Sequence, residues 1–169
     1  MKAHDHPSRS LGFLRRNEGL AAGAVVVEVP EAMPDATRSV CGMKAFLVDE
    51  RRVFQRAEGG EETVDCAKVA LLDIADSPVH RHAVTLETYQ VLAGEGWMVL
   101  DETVVPVRAG SLVVIPPGTA HGLTGAGGTS LRVLMTFTPG LAPLAAEAWR
   151  DEEILWPSAR ERIAALGGV

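Results

Sequence analysis

The strongest constraint on the fold of this 169-residue chain is a pair of short stretches in which metal-ligand side chains and turn-forming residues recur at fixed spacings. The key residues of the first stretch are His80, His82, Glu87 and Gly94. Those of the second stretch are Gly110, Pro116, Gly118 and His121. Three imidazoles and one carboxylate bind a borderline divalent metal and leave coordination positions open for a substrate. The two stretches therefore predict a metal site and a defined backbone shape around it.

These stretches resemble the two signature motifs of the cupin superfamily. The first stretch matches the family motif at every position, and the second departs only where the family often has an asparagine and this chain has Gly125. Fifteen residues lie between Gly94 and Gly110, which is typical of small single-domain (monocupin) members. The resemblance implies an all-β, double-stranded β-helix (jelly-roll) barrel, a homodimer, and one divalent metal ion (Fe, Mn, Ni or Zn). The implied metal ligands are His80, His82, Glu87 and His121.

The spacing within the two stretches predicts how the ligands meet. Residues two apart in a strand face the same side, so both histidines of the first stretch face inward while Arg81 between them faces outward. The next four residues turn a corner, after which Glu87 faces back towards the same interior. We expect His121 to arrive from a separate loop that is directed by the rigid Pro117-Gly118 turn.

Short strands dominate the rest of the pattern. Apolar runs rich in β-branched residues recur at close intervals and are separated by glycine, proline or acidic residues, as in sandwiches and barrels. The predicted strands are Ala24–Val29, Met43–Val48, Val64–Ile74, Thr88–Ala93, Trp97–Leu100, Thr103–Val107, Ser111–Ile115 and Leu131–Phe137.

We interpret residues 1–169 as one cupin domain, a size that suits a single core. The core barrel is expected at about residues 40–140, preceded by an N-terminal strand region at 1–39 that could be exchanged between subunits. Residues 141–169 are expected to form a helical extension that packs on the barrel through Trp149 and Trp156. Pro143 suits the first turn of one helix, and Ser158-Ala159-Arg160-Glu161 has the form of a capping box that begins another.

Composition limits the partners and the location. The net charge is −6, and the thirteen arginines and three lysines form no basic block, so no nucleic-acid partner is expected. We find no apolar run long enough for a membrane helix and no secretory signal. Two cysteines without close spacing, Cys41 and Cys66, suit reduced thiols. These features predict a cytoplasmic protein whose partner is a small-molecule substrate and which has no membrane partner.

Two further residues are candidates for the chemistry. Tyr89 follows Glu87 by two positions and should face the same cavity, where a phenol beside a divalent cation can act as a general acid or base. Cupin lyases that cleave dimethylsulfoniopropionate resemble this chain at that point, although a packed aromatic residue is the alternative interpretation. Arg132 lies on a late strand and is a candidate for binding an anionic substrate.

Three functions fit this pattern. The first is a metal-dependent enzyme that acts on a small substrate by Lewis-acid chemistry, as an isomerase or epimerase or as a lyase. Residues 85–123 resemble the cupin domain of mannose-6-phosphate isomerases, although few lysines are present to bind a phosphate. The second is an Fe(II)-dependent dioxygenase, which an apolar cavity would favour. The third is a non-catalytic ligand-binding or sensor module.

Overall fold

The chain is organised around antiparallel strands. The computed structural model describes residues 4–5, 14–15, 26–27, 29–33, 36–39, 41–55, 61–138 and 152–167. The strands among them are β1 (His4–Asp5), β2 (Leu14–Arg15), β3 (Val26–Val27), β4 (Thr37–Ser39), β5 (Gly42–Gln55), β6 (Glu61–Ile74), β7 (Val79–His82), β8 (Leu86–Ala93), β9 (Glu95–Leu100), β10 (Thr103–Arg108), β11 (Leu112–Ile115), β12 (His121–Gly125), β13 (Leu131–Thr138) and β14 (Glu152–Trp156). The helix α1 spans Ala159–Ala165, and a single 3-10 turn spans Ala126–Gly128.

Two sheets carry most of the described strands. One has seven strands in the order β1-β5-β6-β13-β8-β11, with β4 also paired to β5. The other has five strands in the order β10-β9-β12-β7-β14, and β2 pairs separately with β3. Neighbouring strands pair antiparallel throughout the described residues. The non-sequential strand order is that of a jelly roll, so the predicted all-β, double-stranded β-helix fold is confirmed.

Alternating burial explains why these segments form strands. In β8, Glu87, Tyr89 and Val91 are buried, whereas Gln90 on the opposite face is exposed. The same period of two is found in β13, where Val133 and its alternate neighbours are buried. One face of each strand therefore contributes to the interior of the barrel, and a shift of one residue would expose that whole face.

The main core lies between the two sheets. It contains buried residues of both, among them Leu72 from the seven-stranded sheet and Met98 and Leu123 from the five-stranded sheet. A second cluster lies where α1 packs on the five-stranded sheet, with Ile163 of the helix against Val99. These two clusters fix the strands that carry the ligand-type residues.

The C-terminal region differs in part from the expectation. The predicted helical extension contains a strand, β14, which pairs antiparallel with β7 at the edge of the five-stranded sheet. The predicted start of the C-terminal helix is confirmed, because the hydroxyl of Ser158 accepts a hydrogen bond from the backbone N–H of Glu161 at 3.2 Å and α1 follows. Trp156 packs against the second cluster, as predicted. The helix expected from Pro143, together with Trp149, lies outside the described residues.

Within the described residues the predicted strands are largely confirmed, and β1, β2, β4, β12 and β14 are additional, of which β12 contributes to the site. Its sequence contains Gly122 and Gly125, which are unfavourable in strands, and this is why it was not predicted. A side chain at Gly122 would lie 2.9 Å from the carbonyl oxygen of Pro78, so glycine is needed where these backbones meet. No helix among the described residues is long and apolar enough to cross a membrane.

Candidate metal centre

The first two ligand-type residues lie on β7 and face the interior. His80 and His82 are 2% and 4% exposed. Arg81 between them is on the outer face, where its Nη2 lies 2.7 Å from Oε2 of Glu153 on β14. The prediction that the two histidines share the inward face is therefore confirmed, because the strand places them two residues apart.

The other two ligand-type residues come from different sheets. Glu87, 3% exposed, is the second residue of β8 in the seven-stranded sheet. His121, 1% exposed, is the first residue of β12 in the five-stranded sheet, where it is directly opposite His80. The expectation that His121 arrives from a loop is corrected in one respect: the loop with the Pro117-Gly118 turn ends just before His121, which is itself in a strand. His121 is part of the sheet because β12 is hydrogen-bonded on both sides, to β9 and to β7.

The glycines of the two stretches explain the backbone around the site. Gly94, Gly110 and Gly118 have φ values of 85°, 90° and 84°, which lie in the left-handed region that favours glycine. The N–H of Gly118 donates a hydrogen bond to the carbonyl oxygen of His82 at 2.7 Å. The N–H of Gly110 donates to the carbonyl oxygen of Val91 at 2.8 Å. These bonds fasten the second stretch directly onto the first.

The four side chains converge on one point. One ligand atom from each of His80, His82, Glu87 and His121 lies within 4.8 Å of the others. Two ligands of a single ion, each at ~2.0–2.2 Å, lie at most roughly 4.4 Å apart, so small side-chain adjustments suffice for coordination. Three imidazoles and one carboxylate are also a donor set that borderline divalent metals accept. The residues present therefore fit a metal ion.

Backbone carbonyls orient two of the imidazoles. Nδ1 of His80 lies 3.3 Å from the carbonyl oxygen of Pro78, and Nδ1 of His121 lies 3.0 Å from that of Thr119. When Nδ1 carries the proton and donates it to the carbonyl, Nε2 is left with its lone pair for a metal. The two backbone contacts thus hold each ring in the orientation that coordination requires.

The charged side chains of the centre interact closely. Nε2 of His121 lies 2.8 Å from Oε2 of Glu87, and Nε2 of His82 lies 3.5 Å from Oε1 of the same carboxylate. Burial opposes ionisation of Glu87, but the hydrogen bond with His121 and the charges of the three histidines outweigh it, so its pKa is lowered. Burial, with the neighbouring His121, lowers the pKa of His80 from 6.5 to about 3. Both residues are therefore in their metal-binding protonation states at neutral pH.

Aromatic rings pack around the centre. The ring of Tyr89, 3% exposed, stands edge-on to His121 with the centroids 6.0 Å apart. Phe137 makes a similar contact with His82 at 5.3 Å. The prediction that Tyr89 faces the same cavity as Glu87 agrees with this position. Its role as an acid or base stays a prediction.

Cys41 also lies at the centre, which the sequence did not predict. Its Sγ is 3.9 Å from Nε2 of His80, and the residue is 6% exposed. Cys41 belongs to neither of the two motif stretches and reaches the site through the turn between β4 and β5. No local pattern could have revealed this contact, because it depends on how the seven-stranded sheet packs on β7.

Arg132 makes its described contacts away from the four ligands. Its Nε and Nη2 donate to the two carboxylate oxygens of Asp73 at 2.9 and 2.8 Å, and Nη1 donates to the carbonyl oxygen of Glu31. The hydrogen bond with Asp73 raises the pKa of the guanidinium. Arg132 alternates with the buried Leu131 and Val133 and so lies on the outer face of β13. This arrangement does not favour the predicted role of Arg132 in binding substrate.

Comparison with known proteins agrees with this architecture. Residues 72–137 match the cupin domain family. An uncharacterized protein of Methanocaldococcus jannaschii is 34% identical over 61 residues, which are 36% of this chain and 49% of that protein. The chain therefore matches about half the length of that relative.

Two solved structures are similar to this chain at low sequence identity. The capsular polysaccharide assembling protein CapF of Staphylococcus aureus has a TM-score of 0.50 and 16% identity, with 72% of this chain and 34% of CapF covered. A conserved protein of Klebsiella pneumoniae with a double-stranded β-helix domain has a TM-score of 0.46 and 18% identity, with 68% and 85% covered. At such identities the likeness concerns the fold alone.

The fold and the centre together define the class: an antiparallel barrel with an interior site that could hold a metal ion between its two sheets. The match to the cupin domain family spans residues 72–137, which include all four ligand-type residues. For this region, the resemblance to cupins that the two motif stretches predicted is thereby confirmed.

Proposed function

We propose that this protein is a metal-dependent enzyme that acts on a small substrate by Lewis-acid chemistry, as an isomerase or epimerase or as a lyase. The observation that carries the proposal is the convergence of four buried ligand atoms within 4.8 Å, with the ring of Tyr89 beside them. A buried cluster of three imidazoles and a carboxylate is costly for the fold unless it has a partner, and a divalent cation is the partner that this donor set fits.

The buried residues of the centre would bind the metal and keep water away from it. His80, His82, Glu87 and His121 would hold the ion. When bound, a divalent metal polarises a carbonyl or carboxylate oxygen and stabilises negative charge that develops there. The burial of all four ligands keeps bulk water away, which strengthens the electrostatic interactions inside the site. The backbone bonds to Nδ1 of His80 and His121 keep the rings in place while a substrate binds.

Tyr89 would move the proton. Isomerases, epimerases and many lyases remove or deliver a proton on a carbon next to a carbonyl or carboxylate, and a positioned side chain must carry that proton. The phenol oxygen of Tyr89 can do so, because a nearby cation lowers the pKa of a phenol by stabilising the phenolate. Its strand position, two residues from Glu87, places the ring on the face that carries the carboxylate.

Two measurements test this proposal together. Elemental analysis of untagged protein, purified without chelator, should find close to one divalent metal ion per chain. Incubation of the loaded protein with a panel of hydroxy acids, oxo acids and sugars in D₂O, followed by proton NMR, should reveal exchange of a carbon-bound proton in the substrate. Metal without exchange in any member of the panel would count against proton-transfer chemistry.

An Fe(II)-dependent dioxygenase is the second candidate, and the apolar surroundings of the ligands favour it. Phe137 packs on His82, and Val133 and Met135 belong to the same buried cluster as Tyr89. Such surroundings suit O₂ and hydrophobic substrates. Iron as the dominant bound metal, with oxygen consumption in the presence of a substrate, would support this function. A protein that binds small ligands without exchange or oxygen consumption would be a binding module.

A further inference from the structure

Thr85 has a buried hydroxyl without a hydrogen-bond partner. The residue is 1% exposed, and its Oγ1 makes no hydrogen bond to any part of the chain that the structure describes. A hydroxyl removed from water without a replacement bond costs free energy. Valine has nearly the same shape and would fill the position without that cost. Packing alone therefore does not account for a threonine here.

The position of Thr85 places this hydroxyl on the metal centre's side of the barrel. Thr85 directly precedes β8, and the buried residues Thr85, Glu87 and Tyr89 alternate with partly buried residues on the other face. Residues two apart along a strand are separated by roughly 6.5–7 Å. The hydroxyl, the carboxylate ligand and the phenol are therefore successive groups on one inward face, with Glu87 in the middle.

The corner between β7 and β8, which contains Thr85, is connected to the second motif stretch. Ile115 is opposite Glu87 at the end of β11, and the chain then enters the Pro116–Gly118 turn. The N–H of Gly118 is bonded to the carbonyl oxygen of His82, which closes the corner between β7 and β8. Thr85 thus lies in this corner, two residues before the ligand-type residue Glu87. A small molecule bound at the centre could extend one group towards it.

Charge limits what such a molecule can be. Among the buried side chains that the structure describes, Glu87 has the only carboxylate, and the other ligands are imidazoles. A divalent ion with this carboxylate leaves one net positive charge in the interior of the barrel. A buried net charge is unfavourable, so a ligand with a single negative charge is preferred over a neutral molecule or a dianion.

We propose that Thr85 is a substrate-binding residue and that the substrate is a small monocarboxylate, either a hydroxy acid or an oxo acid. The carboxylate of this substrate would bind the metal, and the hydroxyl of Thr85 would form a hydrogen bond with its neutral hydroxyl or oxo oxygen. The inference rests on the proposed function and deepens it by naming the substrate class. A single ligand of this class would give the hydroxyl of Thr85 a hydrogen-bond partner and would neutralise the positive charge that Glu87 leaves on a divalent ion.

The first test is made on metal-free protein and needs no ligand. Thr85→Val removes the hydroxyl and keeps the shape, whereas Thr85→Ser keeps the hydroxyl and removes a methyl group. The melting temperature of Thr85→Val should equal that of the wild type or exceed it by about 2–4 °C, while Thr85→Ser should melt lower. A Thr85→Val variant that melts as low as Thr85→Ser, or lower, would show that the hydroxyl has a partner within the folded chain and would overturn the inference.

The second test measures ligand binding by calorimetry on metal-loaded protein, with 3-hydroxybutyrate and butyrate as probes. The wild type should bind the hydroxy acid about 10-fold more tightly than butyrate. In Thr85→Val the two affinities should become equal through a loss for the hydroxy acid alone, and Thr85→Ser should retain most of the difference.

Three results would overturn the inference: equal affinity of the wild type for both acids, no binding of either, or an equal loss for both in Thr85→Val. Metal content, measured on the same samples, separates this inference from the proposed function. A wild-type protein that holds no metal would refute the proposed function, whereas the melting comparison decides independently whether the hydroxyl has a partner within the chain.

Discussion

Nε2 of His121 lies 2.8 Å from Oε2 of Glu87, and this contact joins the two sheets of the barrel. His121 belongs to β12 in the five-stranded sheet, and Glu87 belongs to β8 in the seven-stranded sheet. The other two ligand-type residues, on β7, are also in the five-stranded sheet. A metal bound here would therefore connect the sheets across the interior, and stability should depend on its presence.

Metal removal should lower the melting temperature. An ion that binds only the folded state at 100 times its Kd contributes about 2.7 kcal/mol, which for a chain of this length corresponds to a shift of roughly 5–10 °C. Thermal unfolding of the loaded protein with and without EDTA measures this shift. Addition of EDTA to the His121→Ala variant is the control and should change little. Equal EDTA shifts in both proteins would place the stabilising metal elsewhere.

Substitution of a ligand-type residue should weaken metal binding far more than substitution of an outward-facing residue on the same sheet. His121→Ala removes one of four donors and should reduce affinity by more than about 100-fold, since even outer groups that only orient ligands contribute 10–100-fold. Arg81→Gln is the matched control, because Arg81 lies between two ligands in the chain but faces Glu153 on the outside. Competitive titration with a coloured chelator gives both affinities. Full metal content in purified His121→Ala would refute the site.

Replacement of Tyr89 by phenylalanine should separate chemistry from metal binding. The change keeps the ring beside His121 and removes only the hydroxyl. If the phenol moves the proton, exchange of the carbon-bound hydrogen in D₂O should slow by roughly 10²-fold or more. Metal content should not change. An unaltered exchange rate would leave Tyr89 as a packed aromatic residue.

Acid should destabilise the metal-free protein through His80. The pKa of His80 is about 3 in the folded chain and 6.5 in the unfolded chain. Between these two pH values His80 is therefore protonated in the unfolded chain and neutral in the folded one. Stability should therefore fall as the pH decreases from 6.5 towards 3, by up to about 1.4 kcal/mol per pH unit from this residue. The lowered pKa of Glu87 acts in the same direction at the acid end.

Urea unfolding at pH 7.0 and pH 5.0 measures this effect. His80→Gln has no titrating group at the position and should lose less stability between the two pH values than the wild type. Equal losses in both proteins would show that His80 is not the group responsible.

Arg132 should contribute to stability and not to the site. Its ion pair with Asp73 is bidentate but partly exposed, at 28% and 31% for the two side chains, so Arg132→Met should cost roughly 0.2–1 kcal/mol. Metal content and substrate affinity should stay at the wild-type level. Calorimetric binding of an anionic substrate checks this, and a loss of more than 10-fold would restore the role in substrate binding that the sequence suggested.

The sequence by itself predicted most of the strands and, through its resemblance to cupins, the four residues that converge at the centre. Strand formation depends on an alternation that is read locally, and β8 and β13 follow it closely. The inward direction of His80 and His82 follows from the same period, and the left-handed positions of Gly94 and Gly118 follow from the residue type. These features need no knowledge of distant neighbours, so the motif stretches sufficed to predict them.

The tertiary structure decided what depends on distant neighbours. It placed His121 in β12 instead of a loop, because the glycines of that strand allow the backbone to approach Pro78. It also brought Cys41 against His80, and among the described residues it gave the hydroxyl of Thr85 no partner. A short segment has no local signal for such contacts. Its final state is set by the backbone hydrogen bonds and close packing of strands that are far away in the chain.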